Sequence, residues 1–191
     1  MALAAKVPVR MSVGEFLDWK PEGRWQLVDG EARARAPANR THGTIQSRLA
    51  YLLTAHFERQ GGDCVAVTEP GIVPRLLAEH NVRVPDLAVT CTPYETEQRT
   101  LLDPVLVVEI LSPSNQAETW ANVWAFTSIP SVREILILRA DRIGAELLRR
   151  QADVAWPERP AAITEGDLTL DSIGLRVPLG DIYVRTRLAP R

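Results

Sequence analysis

Two carboxylates interrupt apolar runs in this chain. Asp86 lies in VRVPDLAVT, among Val82, Val84, Leu87, Ala88 and Val89. Glu109 lies in PVLVVEILSPSN, among Val105, Leu106, Val107, Val108, Ile110 and Leu111. A charge inside such a run is costly unless a partner, a hydrogen bond or a metal compensates it. Both runs read as strands, and two acids on neighbouring strands suggest a shared cation. A plainer reading stays open beside it. Asp after Pro often starts a turn or ends a strand, and Glu109 can pair with one of the many arginines. His42 and Gln46, one turn apart on a helix, share a face. Either they look toward the carboxylates or His42 is a solvated first-turn residue.

These residues need elements to position them. Met11 to Trp19 reads as a short helix, with Ser12 and Glu15 in capping-box spacing and Pro21 and Gly23 ending it. Arg24 to Pro37 reads as a hairpin turning at Asp29-Gly30. Thr41 to Arg59 is the clearest helix: Ile45, Leu49, Leu52, Leu53 and Phe57 recur at helical spacing, Thr41 can cap it, and Gly61-Gly62 stops it. Cys64 to Pro74 reads as a strand bent at Pro70-Gly71. Arg83 to Thr90 is the strand of Asp86. Val105 to Leu111, apolar nearly throughout, reads as a central strand buried on both faces. Ala117 to Thr127 reads as a helix with Trp120, Val123, Trp124 and Thr127 on one face. Val132 to Leu138 and Ala145 to Arg150 read as paired strands, followed by short apolar pieces at 168–170 and 174–177. Pro178 to Tyr183 reads as a terminal turn or short helix. The expectation is one α/β domain over residues 1–191, with loose termini at 1–10 and 186–191.

Bulk composition narrows the function classes. A chain of 191 residues with 46% hydrophobic and 24% charged content can bury a core and is ordinary for a globular domain. Net charge is −2, so no global basic field advertises nucleic acid, although a local patch is allowed. Lys6 and Lys20 are the only lysines, so none follows residue 20. Cys64 and Cys91 lack zinc-type spacing and read as reduced and buried, which suits a cytoplasmic protein. No run is apolar enough to span a membrane.

The order helix, strands, helix, strand, with an acid after proline on one strand and Glu on the next, resembles the PD-(D/E)XK nuclease core. WQLVDGE (25–31), THGTIQ (41–46), VRVPDLAV (82–89), VVEILSPSN (107–115) and NVWAFTSIPSVREIL (122–136) resemble the Uma-type family of that superfamily, over roughly residues 11–185. The resemblance implies a restriction-endonuclease-like α/β fold: a mixed central sheet flanked by helices, with an N-terminal helix and β-hairpin. It implies an endonuclease that hydrolyses phosphodiester bonds in DNA with Mg²⁺ (or Mn²⁺). Asp86 and Glu109 are then the acidic metal ligands, and the Ile110 carbonyl completes the set. His42 or Gln46 occupies the region of an additional metal-holding group, and Glu31 is a further contributor. Mg²⁺ prefers oxygen ligands and keeps several waters, so few carboxylates suffice. The metal would acidify an attacking water and neutralise charge on the scissile phosphate.

The sequence departs from the pattern at the lysine. The superfamily position two residues after the second acid is Leu111. The alternative family position, on the following helix, falls near Val123, and Trp120 stands where a basic residue is expected. Gln26 replaces a Glu. Arg83 or Arg133 is a possible substitute cation, able to stabilise charge but not to act as a base. The alternative function is therefore a degenerate nuclease fold that binds nucleic acid or a protein partner, with Arg33, Arg35, Arg40 and Arg48 as groove candidates. A third reading makes Asp86 and Glu109 structural charges of an assembly module. A duplex cutter is expected to be a two-fold homodimer, with Trp25, Trp120, Trp124 and Trp156 available for an interface where exposed.

Overall fold

The computed structural model describes residues 10–113, 115–151 and 155–189. Helix α1 (Val13–Asp18) opens on the expected capping box: Glu15 N–H donates to Ser12 Oγ at 3.3 Å and Ser12 N–H to Glu15 Oε2 at 2.8 Å. Strands β1 (Trp25–Val28) and β2 (Glu31–Ala34) pair antiparallel around Asp29 (φ 52°) and Gly30 (φ 87°). Positive φ at both central residues is what a type I′ hairpin turn requires. Leu27 and Val82 exchange backbone hydrogen bonds at 2.9 and 3.0 Å, tying the hairpin to the segment that leads to Asp86.

Helix α2 (Arg40–Gln60) buries Ile45, Leu49, Leu53 and Phe57. Its cap is Asn39 rather than Thr41: Asn39 Oδ1 accepts from His42 N–H at 3.0 Å. The central sheet contains β3 (Val65–Thr68), β4 (Leu87–Thr90), β5 (Pro104–Leu111), β6 (Glu134–Arg139), β7 (Ala145–Arg149) and β8 (Ala161–Ile163), neighbours in that order. The β5–β6 pair is parallel and the other pairs are antiparallel. The parallel pair is joined through α3 (Gln116–Phe126). Strand β5 is central and almost wholly buried, as its apolar run implies. Ile45, Leu49, Leu53 and Phe57 of α2 pack on the sheet face that carries Leu87, Leu106 and Val108. The hairpin β9 (Asp167–Leu170)–β10 (Leu175–Pro178) and helix α4 (Leu179–Ile182) join that cluster. Val123 and Phe126 of α3 pack on the other face with Ala88, Val107 and Leu111. The expected mixed sheet, flanking helices and N-terminal helix with hairpin are all present. Among the described residues no helix is long and apolar enough to cross a membrane.

Several local expectations are corrected. The strand carrying Asp86 is shorter than Arg83 to Thr90: Pro85 has no N–H for a ladder, and β4 begins at Leu87. Helix α3 is rotated from the expected phase. It buries Thr119, Asn122, Val123, Ala125 and Phe126, while Trp124 is 46% exposed. Strand β8 follows Pro160 and is too short to leave a periodic signal. Cys64 and Cys91 are not free thiols but a disulfide, with Cα atoms 3.9 Å apart, and Cys91 is exposed. The β3–β4 register explains the pairing. Val65 faces Thr90, so the next step outward sets Cys64 opposite Cys91, a proximity that spacing in sequence does not reveal. The cytoplasmic expectation thereby loses the reduced thiols it rested on. Of residues 1–10, expected as a loose terminus, 1–9 lie outside the described residues, as do 190–191. Residues 186–189 are tied down. Thr186 Oγ1 donates to the Tyr183 carbonyl at 2.6 Å, and Leu188 packs on the core.

Candidate active site

The antiparallel β4–β5 register places Leu87 opposite Val108. One step further, Asp86 and Glu109 face each other across the end of the ladder. Side chains alternate along strands, so both carboxylates lie on the α3 face. They are 2% and 3% exposed, yet both line a cavity of about 260 Å³. Its walls come from the open end of the β1–β2 hairpin (Arg24, Arg35), the start of α2 (Asn39, His42), Glu69, and the turn and helix after β5.

Asp86 is held from several sides. His42 Nε2 lies 3.0 Å from Oδ1, Ile110 N–H donates to Oδ2 at 2.7 Å, and Arg35 Nη2 approaches Oδ1 at 3.5 Å. Its backbone carbonyl accepts from Gln46 Nε2 at 2.8 Å and from Glu69 N–H at 3.1 Å. Arg35 faces Arg24 at the mouth of the hairpin, where Arg35 N–H donates to the Arg24 carbonyl at 2.8 Å. Arg24 in turn pairs with Glu69. Among the described residues Arg35 Nη1 is buried without a hydrogen-bond partner. A buried guanidinium nitrogen without an acceptor is costly, and here it belongs to a residue that lines the cavity.

Glu109 is the less satisfied acid. Among the described residues its hydrogen bond comes from Asn122 Nδ2 at 3.3 Å. Burial first, and then the Asp86 charge, push its carboxyl well above the usual carboxylate range, with Arg35 and Asn122 pulling the other way. The orientation of Asn122 is set from behind. Arg83 Nη1 donates to Asn122 Oδ1 at 3.0 Å, which turns the amide N–H₂ toward Glu109 and Gln26 Oε1. Gln26 Nε2 passes the chain on to Glu118 Oε1 at 2.7 Å. Burial lowers the Arg83 pKa.

Most of the sequence candidates converge. Asp86, Glu109 and His42 line the cavity; Ile110 touches Asp86 through its N–H, and Gln46 braces the Asp86 backbone. Glu31 does not join them: exposed on β2, it pairs with Arg33 at 3.3 Å and is absent from the cavity wall. Arg83 points inward but acts through Asn122, and Arg133 is exposed at the base of β6. Asn122 was missed because the aromatic residues suggested the wrong helix phase; the residue one step before Val123 faces the acid instead. Arg35 was read only as a groove candidate. The hairpin register that brings it beside Asp86 has no signature in sequence.

A family model described as "Uma2: Putative restriction endonuclease" matches residues 13–178. The chain belongs to the Uma2 family. An uncharacterized protein of Synechocystis is 27% identical over 178 residues, spanning 91% of this chain and 92% of that relative. The fold is shared with a crystal structure from Anabaena variabilis titled a putative nuclease belonging to DUF820. The two share 18% identity with a TM-score of 0.73, over 91% of this chain and 97% of the other. Uma2 membership supports a nuclease role.

Among the described residues no cluster of three or more His, Cys, Asp or Glu side chains is arranged to hold a metal. A cation here therefore relies on the Asp86–Glu109 pair plus backbone, water or substrate oxygens. That donor set fits Mg²⁺, which takes one or two carboxylates and keeps its waters. It does not fit a four-ligand structural zinc site.

Proposed function

We propose that this Uma2 protein is an endonuclease that hydrolyses phosphodiester bonds in DNA and depends on Mg²⁺ or Mn²⁺ held by Asp86, Glu109 and the Ile110 carbonyl. One observation carries the reading: two nearly buried carboxylates meet at the wall of a cavity also lined by an arginine with an unpartnered nitrogen. Two like charges raise each other's energy, and a divalent cation held by both would remove that cost. When bound, the cation acidifies an attacking water and neutralises charge on the scissile phosphate.

The chain's own residues do the rest. His42 and the Ile110 N–H hold the two Asp86 oxygens, so the carboxylate is oriented before a ligand arrives. Gln46 fixes the backbone beneath it. Arg35 has a free N–H donor for a phosphate oxygen. It keeps its proton throughout, so it stabilises developing charge rather than acting as a base.

A second reading has its own observation. The helix on which the family resemblance implies a lysine offers Glu109 the neutral Asn122 amide. On that reading the fold binds nucleic acid or a protein partner without cutting it. Incubating wild type, Asp86→Ala and Glu109→Ala with supercoiled and single-stranded DNA, with and without Mg²⁺, separates the two. Metal-dependent nicking that disappears in both variants supports the endonuclease. DNA retention without nicking supports the binder. A duplex is cut by two sites or two visits, so a two-fold dimer is the expected assembly. Sedimentation of the wild type against a charge substitution at the exposed Trp124 tests it.

A further inference from the structure

One surface is charged out of proportion to a chain of net charge −2. Arg40, Arg185 and Arg187 line a cleft of about 410 Å³, and Arg40, Arg48 and Arg185 line the shallow, open surface that adjoins it, Arg40 and Arg48 from the first half of α2 and the other two from after α4. Arg40, Thr44 and Arg185 belong to both. Among the described residues no carboxylate forms an ion pair with any of these four arginines. Most other arginines near acids do pair, Arg24, Arg99, Arg139, Arg149 and Arg176 among them.

The cleft is built rather than loose. Arg185 stands at φ 69°, a left-handed region that a non-glycine residue adopts only at a cost. The preceding Tyr183 is fully buried, its hydroxyl donates to the Gly144 carbonyl at 2.7 Å, and its carbonyl accepts from Thr186 N–H at 3.0 Å. Arg48 is also held. Its Nε donates to the Asp181 carbonyl at 3.0 Å, and its guanidinium carbon lies 5.2 Å from the centroid of the Tyr51 ring. Tyr51 is 61% exposed, so most of its ring remains open. The first turn of α2 joins this cleft to the carboxylates: Asn39 and His42 line the acid cavity, while Arg40 and Thr44 line the cleft.

We propose that this cleft is the track of a single nucleic-acid strand. The arginines take successive phosphates, Tyr51 stacks on a base, and the strand crosses the first turn of α2 into the cavity of Asp86 and Glu109. The final step rests on the nuclease reading above; the track itself does not. Guanidiniums match phosphate oxygens in charge and geometry. An exposed aromatic beside a basic groove suits unpaired bases, which offer a π-face whatever their identity. A cavity of about 260 Å³ receives one phosphate and its sugar at a time, which a strand threaded from the cleft can supply.

The test is fluorescence anisotropy of the full chain, in EDTA, with a labelled oligothymidylate and with the same strand annealed to its complement. The single strand should bind more tightly than the duplex, with strong salt dependence. The double variant Arg185→Gln/Arg187→Gln should weaken it about tenfold and flatten the salt slope by roughly 0.7 per guanidinium lost. Tyr51→Ala should weaken the single strand about fivefold or more and leave the duplex unchanged. An unchanged thermal midpoint in these variants shows that they are folded. Equal binding of duplex and single strand with no effect of Tyr51→Ala overturns the proposal. So does competition by polyglutamate as strong as by oligonucleotide, which would assign the cleft to an acidic protein. Wild-type affinity in the arginine variants overturns it as well, even if the protein cuts DNA, in which case the nuclease reading stands alone. Conversely, strand binding lost on the arginine changes, in a protein that never cuts, supports the track while the nuclease reading falls.

Discussion

Glu109 and Glu134 lie on neighbouring strands of one sheet, 3% and 1% exposed. They have opposite surroundings. Glu134 begins β6 and is saturated. Arg149 Nε donates to it at 2.7 Å, Asp171 N–H at 3.2 Å, Ser172 N–H at 2.9 Å and Ser172 Oγ at 2.6 Å. Together they fasten the β9–β10 turn to the sheet. Glu109, towards the far end of β5, has one long hydrogen bond among the described residues, a like charge as its neighbour and a cavity in front of it. A buried acid with every acceptor site occupied is a structural fastener. A buried acid left short of donors, facing a second acid and open space, is where we propose that a cation binds. The plain reading of Glu109, an acid matched by arginine, is therefore realised in this protein, but at Glu134.

The largest effect that would sharpen this contrast is on stability. Glu134→Ala strands two backbone N–H groups and Arg149, and should cost about 2–4 kcal/mol in urea unfolding. Glu109→Gln should leave stability unchanged or raise it by about 1 kcal/mol in metal-free protein. Equal destabilisation by both changes would break the comparison.

pH provides the next test. The Glu109 pKa is raised in the folded protein, so its contribution to stability is fully present below the ordinary carboxylate pKa. That contribution is lost as pH rises through the raised value. Metal-free wild type should therefore fall behind Glu109→Gln in thermal midpoint on going from acid toward neutral pH, and saturating Mg²⁺ should close the gap. A gap that is constant with pH would contradict the assignment.

Smaller effects come from the supporting residues. Asn122→Ala removes the Glu109 hydrogen bond and an Arg83 partner, and should cost about 1–2 kcal/mol. Gln46→Ala frees the Asp86 carbonyl and should cost about 1 kcal/mol, with weaker cation binding measured alongside.

How much of this was legible in the sequence follows the range of each cause. The capping box at Ser12–Glu15, the Asp29-Gly30 turn and the α2 stripe act within a few residues, and each has its expected form. The apolar run of β5 announced a central strand and, by contrast, the anomaly of Glu109. What depends on register between distant segments stayed hidden: Cys64 opposite Cys91, Arg35 beside Asp86, and Glu134 under the β9–β10 turn. The phase of α3 failed for another reason. The expected face followed Trp120, Val123, Trp124 and Thr127, but the inward face is polar where it meets the site, through Thr119 and Asn122. One residue around a helix is about 100°, enough to exchange Asn122 for Val123 as the neighbour of Glu109. Glu31 drew attention by following the Asp-Gly turn, yet the hairpin turns it to solvent.

The central claim is that Asp86 and Glu109 form a cation site while Glu134 does not. Calorimetric titration of Mg²⁺ and Mn²⁺ into wild type, Asp86→Ala, Glu109→Gln and Glu134→Gln tests it most directly. The account predicts binding in wild type and in Glu134→Gln, provided that variant is folded at the temperature used, and none in the other two. Absence of binding in wild type, or binding that survives both Asp86→Ala and Glu109→Gln, would return the two acids to structural charges.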